Sequence, residues 1–208
     1  MKERNERTER KNAFDARTEQ YRNLGYDRFA ATSFVVGAGG KLAGPALDVG
    51  TGKGLTAMAL ARQGLDVVSV DTDADEQALA SLLAAEAGLE RRIQFLCGNA
   101  SALPYADGHF RCAALMDVLH HLEDPEPVLE ETARVLTPFG VLILADFSPE
   151  GFELVARVHR EDGREHAVSG ATLESAETFL SRSGFEPTVR RAGHKHEVTV
   201  FVKKAGDK

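Results

Sequence analysis

Ala46-Leu47-Asp48-Val49-Gly50-Thr51-Gly52-Lys53-Gly54 is the stretch on which the fold turns. Its first four residues read as a short apolar strand, and Leu55 to Arg62 continues as a helix closed by Gly64. Between them stand three glycines at alternating positions. Glycines so spaced let the backbone bend tightly and approach a ligand without Cβ clashes. The helix that follows turns its unpaired N–H groups toward the same place. In an open α/β sheet that place is a ligand site, because ligands settle at the carboxyl ends of the strands.

Strands and helices alternate outward from this bend. Asp66 to Val70 is a β-branched second strand, and Asp73 opens a helix with Glu76 at capping-box spacing. Leu79, Leu82 and Leu83 form one face of that helix, and Gly88 ends it. Ile93 to Cys97 and Cys112 to Met116 read as the third and fourth strands. Asp124-Pro125 starts a helix carried by Val128, Leu129, Thr132, Val135 and Leu136. Val141 to Ala145 is a fifth strand, apolar throughout, as a strand covered on both faces should be. Residues 148–170 read as a polar insertion on the substrate side, Leu173 to Ser181 as a helix. Pro187 to Arg191 and Val198 to Val202 read as a hairpin turning near Ala192-Gly193. The pattern predicts an α/β, Rossmann-like, mostly parallel sheet with helices on both faces and a C-terminal antiparallel hairpin. Upstream, residues 1–11 are mostly charged and read as a solvated tail or frayed helix. Residues 12–40 read as one or two short helices with Phe14, Tyr21, Leu24, Tyr26 and Phe29 on an aromatic face; residues 41–208 form the main domain.

The chain has 208 residues, 43% hydrophobic and 27% charged, which suits one globular domain. Its net charge of −7 argues against nucleic acid and anionic membrane as partners. Cys97 and Cys112 form no CxxC, so neither a disulfide framework nor a cysteine zinc site is expected. The charged N-terminus lacks a secretory pattern and no apolar run reaches membrane-spanning length, so the expectation is a soluble cytoplasmic protein.

Which ligand does the bend suit? A phosphate-binding loop would need a glycine at Leu47 and Ser or Thr after Lys53, and has neither. A dinucleotide fingerprint needs GxGxxG, whereas this chain has GxGxG with Asp48 two places before Gly50. An acid there is awkward for a pyrophosphate and natural for a cationic amino acid. Asp71 ends the second strand, where an acid can accept both ribose hydroxyls of a nucleoside. A phosphate-free nucleoside with a positive charge describes S-adenosylmethionine.

LDVGTGKG (47–54), VSVDTD (68–73), GNASALPYADGHF (98–110) and MDVLHHLEDPEPVLEETARVLTPFGVLILADF (116–147) together resemble a class I S-adenosylmethionine-dependent methyltransferase. The resemblance is to the small-molecule branch that includes the ubiquinone- and menaquinone-biosynthesis methyltransferases, and is strong over residues 45–147. It implies a seven-stranded sheet with an antiparallel last strand. It further implies that Asp48, Gly50, Gly52 and Gly54 wrap the methionine part of the cofactor. By the same resemblance Asp71 binds the ribose, Thr72, Asn99 and Ala100 border the adenine, and Asp117 lies near the methionine. Asn99 replaces the usual acid, and Arg111 stands where an acid is usual. The N-terminal helix is then a lid with Tyr21 at the methionine carboxylate; the alternative is that Phe14, Tyr21 and Tyr26 only pack on the sheet edge.

Methyl transfer from a sulfonium is an in-line displacement, so the protein chiefly aligns the acceptor and excludes water. A base is needed only where the acceptor must lose a proton. His120, Asp146 and His159 are the catalytic candidates, and His121, His166, His194 and His196 the substrate-side ones. His121 also has a packing reading, and His109 reads as a surface-loop residue. His194-Lys195-His196 would put two imidazoles on one strand face, so a divalent metal held with Asp117 or Asp146 is a further option. The acceptor is read as a small molecule, since Asn/Asp-Pro-Pro-Tyr is absent from the fourth strand. Two rivals stand beside this: an S-adenosylmethionine-binding regulator or partner subunit without transferase activity, and a nicotinamide-dependent reductase.

Overall fold

The computed structural model describes residues 2–163 and 168–205, with side chains from Thr8 onward. Seven strands form one sheet: β1 (Ala46–Val49), β2 (Val67–Asp71), β3 (Ile93–Cys97), β4 (Phe110–Met116), β5 (Leu136–Phe147), β6 (Phe185–Gly193) and β7 (His196–Lys203). Their order is β3-β2-β1-β4-β5-β7-β6. The first five are parallel, β7 is antiparallel to β5 and to β6, and β6 therefore points the same way as the first five. The seven helices are α1 (Lys2–Asn23), α2 (Arg28–Ala38), α3 (Leu55–Arg62), α4 (Ala74–Glu86), α5 (Glu126–Val135), α6 (Pro149–Glu161) and α7 (Leu173–Arg182).

β1 is buried at every position because both faces are covered. On one face Ala46, Ala114 and Ile143 pack against Val35 of α2, Leu60 of α3 and Leu83 of α4. On the other, Leu47, Val49, Leu115 and Leu144 pack against Leu129 of α5 and Leu180 of α7. A third, smaller cluster joins Tyr21, Tyr26 and Ala31 to Val155 and Val158 of α6. It forms a roof over the carboxyl ends of the strands.

Three readings need correction. The boundary between charged tail and lid falls inside one continuous helix, α1. The polar insertion contains an amphipathic helix, α6, capped by Ser148 with Pro149 at its start. Its Val155 and Val158 face inward while Arg157, Arg160 and Glu161 face water. The hairpin turns at His194-Lys195, not Ala192-Gly193, and both turn residues have positive φ, 51° and 66°. Gly151 of α6 lies so close to this turn that a Cβ there would sit 2.3 Å from the Lys195 carbonyl oxygen.

Candidate active site

A cavity of about 670 Å³ opens at the carboxyl ends of β1, β2, β4 and β5, beneath α1, α2 and α6. Its floor is the glycine bend. Gly50 has φ 80°, and a Cβ there would sit 2.4 Å from Val118 Cγ2, so this glycine is obligatory. Gly52 lines the cavity, and a Cβ on it would meet no protein atom within 4 Å. The space above Gly52 is therefore a cradle that a side chain would occupy. Gly54 does not line the cavity. It caps α3 at φ 74°, where a Cβ would sit 2.9 Å from Ala80 Cβ, so it serves helix packing.

Asp48 also lies outside the cavity. Strand alternation points it toward α3 and α4, away from Leu47 and Val49. Ser69 Oγ donates to Asp48 Oδ2 at 2.7 Å and stands 2.7 Å from Thr51 Oγ1. Gln77 Nε2 donates to Thr51 Oγ1 at 2.9 Å and to the Leu96 carbonyl at 3.0 Å. The acid thus supports the bend from below. Burial pushes its carboxyl up to about 7, against the Ser69 hydrogen bond and with help from the Asp71 charge.

Asp71 does face the cavity. Its Oδ2 accepts from the Gly52 N–H at 3.0 Å, and its Oδ1 from the Asp73 N–H at 3.0 Å. Thr72, Asn99 and Ala100 line the wall beside it. Asn99 Oδ1 already accepts from the Ser101 N–H at 2.9 Å, so the amide oxygen serves its own turn. Lys53 at the rim is paired with Glu76.

Tyr21, Tyr26, Arg28, Thr32 and Asp117 also line the cavity. The Arg28 guanidinium carbon lies 5.6 Å from the centre of the Tyr21 ring and 5.3 Å from that of Phe14. Among the described residues no carboxylate forms an ion pair with Arg28. Its cation and the Asp117 carboxylate both reach Tyr26 electrostatically. Arg28 and Asp117 thus place a guanidinium and a carboxylate on the lining of the same cavity. Sequence reasoning passed over Arg28. The available signal was a lone cation following the Asp27 helix cap in an aromatic segment.

His120, His121, Leu122, Val128, Phe147, Val155 and His159 line it as well. His120 is 1% and Asp146 5% exposed, and His120 Nδ1 lies 2.6 Å from Asp146 Oδ1. A carboxylate can only accept, so Nδ1 carries a proton and donates it to Asp146. Backbone N–H groups of His120 and Phe147 donate to Asp146 at 3.2 and 2.8 Å, which fixes the carboxylate in place. The His120 and His121 rings lie 4.0 Å apart, with His121 at the exposed rim.

Two substrate-side candidates fall elsewhere. His194 sits in the hairpin turn with its ring 5.2 Å from that of Phe34. His196 is buried behind the cavity against Asp117, and the pair does not share a strand face as the HxH spacing suggested. His166 lies outside the described residues. Among the described residues no group of three His, Cys, Asp or Glu side chains is placed to hold a metal, and no helix is long and apolar enough to cross a membrane.

The family described as "Methyltransferase domain" matches residues 47–144. A 27-O-demethylrifamycin SV methyltransferase of Amycolatopsis mediterranei is 34% identical over 147 residues, covering 68% of this chain and 53% of that protein. A demethylmenaquinone methyltransferase of Renibacterium salmoninarum is 36% identical over 117 residues, covering 55% of this chain and 46% of the other. The chain thus spans about half the length of the curated relatives it matches. In fold it is similar to the [4+2]-cyclase SpnF, with a TM-score of 0.69 at 21% identity, over 86% of this chain and 82% of that one. A glycine bend at the floor of the cavity, an acid at the end of β2 and seven strands in this order, together with the match over residues 47–144, make the chain similar to the class I S-adenosylmethionine-dependent methyltransferases.

Proposed function

We propose that the protein moves a methyl group from S-adenosylmethionine to a small-molecule acceptor that surrenders a proton, a hydroxyl being the best fit. The observation that carries this reading is the buried His120–Asp146 pair on a cavity that Arg28, Asp71 and Asp117 also line. Gly52 and Asp71 would hold the nucleoside's sugar side, and Thr72, Asn99 and Ala100 would border the adenine. Arg28 would hold the methionine carboxylate, and Asp117 would face its ammonium group. When bound, the cofactor supplies an electrophilic methyl carbon on a sulfonium.

The chain's own residues then have three tasks. Asp146 holds the His120 ring with Nδ1 protonated, and Nε2 is the atom proposed to take the acceptor's proton. Phe147, Val155 and Leu122 supply an apolar wall, and His159 from α6 sets its polar edge. The α1–α2–α6 roof serves as the lid that keeps water out. His121 at the rim and Tyr21 in the roof would contact the acceptor and cofactor without proton transfer. A cytoplasmic setting suits the free thiols Cys97 and Cys112.

The test uses purified protein, a metabolite extract and cofactor labelled in its methyl group, with the product identified by mass. Labelled product is expected, and it should disappear with His120→Ala while S-adenosylhomocysteine still binds by calorimetry. Tight binding with no labelled product from any extract would favour a regulator without transferase activity.

A further inference from the structure

His196 opens β7 and is fully buried behind the cavity. Its Nε2 lies 2.9 Å from Asp117 Oδ1 and 3.2 Å from Oδ2, and its Nδ1 lies 2.9 Å from the His194 carbonyl oxygen. A carbonyl oxygen and a carboxylate both only accept, so each ring nitrogen carries a proton. The geometry describes an imidazolium. Around it gather three non-glycine residues in the left-handed region: Asp117 (φ 59°), His194 (φ 51°) and Lys195 (φ 66°). Such conformations persist only where the surroundings over-determine them. Here the Lys195 carbonyl accepts from the Ser148 N–H at 2.9 Å, Lys195 pairs with Glu150, and His194 lies on Phe34. Asp117, by contrast, is tied to the hairpin through His196.

We infer that His196 is a positioning residue for the cofactor site: its imidazolium holds Asp117 in the left-handed conformation that presents the end of β4 to the cavity. The inference deepens the S-adenosylmethionine reading and rests on it. Loss of one ring proton would leave a single N–H for two acceptors, so either the Asp117 carboxylate or the His194 carbonyl would face a bare nitrogen lone pair, and the link between hairpin and wall would weaken. The groups facing His196 are Asp117 from β4, Asp146 from β5 (itself engaged by His120), the Tyr26 ring at 5.9 Å and the Phe147 ring at 4.7 Å. Asp27, Glu150 and Lys195 border the neighbouring depression. Burial opposes the charge, but Asp117, the His194 carbonyl and the field of Asp146 outweigh it and raise the imidazole above its usual range. The sign follows. The doubly protonated ring is held below the raised value and is lost as pH rises through it, so cofactor affinity should weaken on the alkaline side.

Two measurements test this. Nitrogen NMR of ring-labelled histidine in the ligand-free protein should show both His196 nitrogens protonated at neutral pH, with a midpoint above the ordinary value of about 6.5 that falls in Asp117→Asn. Calorimetry with S-adenosylhomocysteine from pH 6 to 9 should then compare wild type with His196→Gln, whose amide can donate to Asp117 but never charges. At pH 6 wild type should bind about tenfold more tightly, the scale of a hydrogen bond to a charged group, and the advantage should shrink as pH rises toward 9. Asp48 and the ligand's own amine titrate in both proteins and cancel in the ratio. A neutral His196 at pH 7, or a ratio flat with pH, overturns the inference. Binding by neither protein at any pH overturns the functional reading and this inference with it.

Discussion

Asp146→Asn preserves the shape of the His120 contact and removes the charge that fixes its tautomer. If His120 takes the acceptor's proton, kcat should fall by roughly 10² to 10⁴, the usual worth of a positioned base, with S-adenosylhomocysteine affinity unchanged within about twofold. Steady-state kinetics with calorimetry on the same preparation checks both halves. Unchanged kcat would reduce the pair to a packing feature. Asp48 yields a different prediction. Its folded carboxyl titrates near 7 rather than in the usual carboxylate range, so the folded state holds a proton that the unfolded chain has already released. Stability from this site is therefore greatest below the unfolded value and declines as pH rises toward 7. Asp48→Asn removes that dependence. Relative to wild type it should gain on the order of 2 to 4 kcal/mol between pH 4 and 8 in urea unfolding, and an equal difference at both pH values would refute the account. The motif gave the identity of this acid but not its direction. A period of two across β1 sends Asp48 beneath the bend, which the glycine spacing alone cannot reveal.

At the level of elements, the roof is the weaker half of the molecule. The sheet's two faces are sealed by α2 to α5 and α7, whereas α6 meets α1 and α2 through one small cluster and exposed ion pairs such as Arg17–Asp162. Exposed pairs contribute little, so Val155 and Val158 hold the roof down. Val158→Asp puts an unpaired carboxylate at a fully buried position and should undock α6. Hydrogen exchange should then show α1 and α6 amides losing protection by tenfold or more while β1, β4 and β5 keep theirs, with cofactor affinity reduced. Loss spread evenly over the sheet would mean the roof belongs to the main core. The strands were legible because each is a short apolar run bounded by turn residues. The helix α6 was not, because its few inward residues stand among Glu, Arg and His, and a polar composition masked the spacing of Phe152, Val155 and Val158. The hairpin turn was misplaced for a related reason. Glycine at 193 is the residue that such a turn prefers, yet tertiary contacts to Ser148, Glu150 and Phe34 hold His194 and Lys195 in the strained positions instead.

Across the whole molecule, the site exists only when the chain is folded. It draws on the ends of four strands, the bend before α3 and three roof helices that are distant in sequence. Sequence order exposed the strand ends, because β-α alternation with a final hairpin leaves few arrangements. It could not expose that Arg28 and Asp117 line one cavity, or that His196 pairs with Asp117, since these placements bring the N-terminal helices and the last hairpin to the end of β4. A ligand that binds such an assembly and not the unfolded chain stabilises it by mass action, about 2.7 kcal/mol at a hundredfold excess over Kd. For a domain of this size each kcal/mol shifts Tm by roughly 2 to 4 °C. S-adenosylhomocysteine at that excess should therefore raise Tm by about 5 to 10 °C. A nicotinamide dinucleotide should not, because its pyrophosphate would meet Asp71, Glu76 and Asp117 across a bend that lacks the third glycine of a phosphate-binding turn. Equal shifts with both ligands would mean that the cavity reads only the adenosine they share, and the zwitterion-binding role assigned to Arg28 and Asp117 would have to be abandoned.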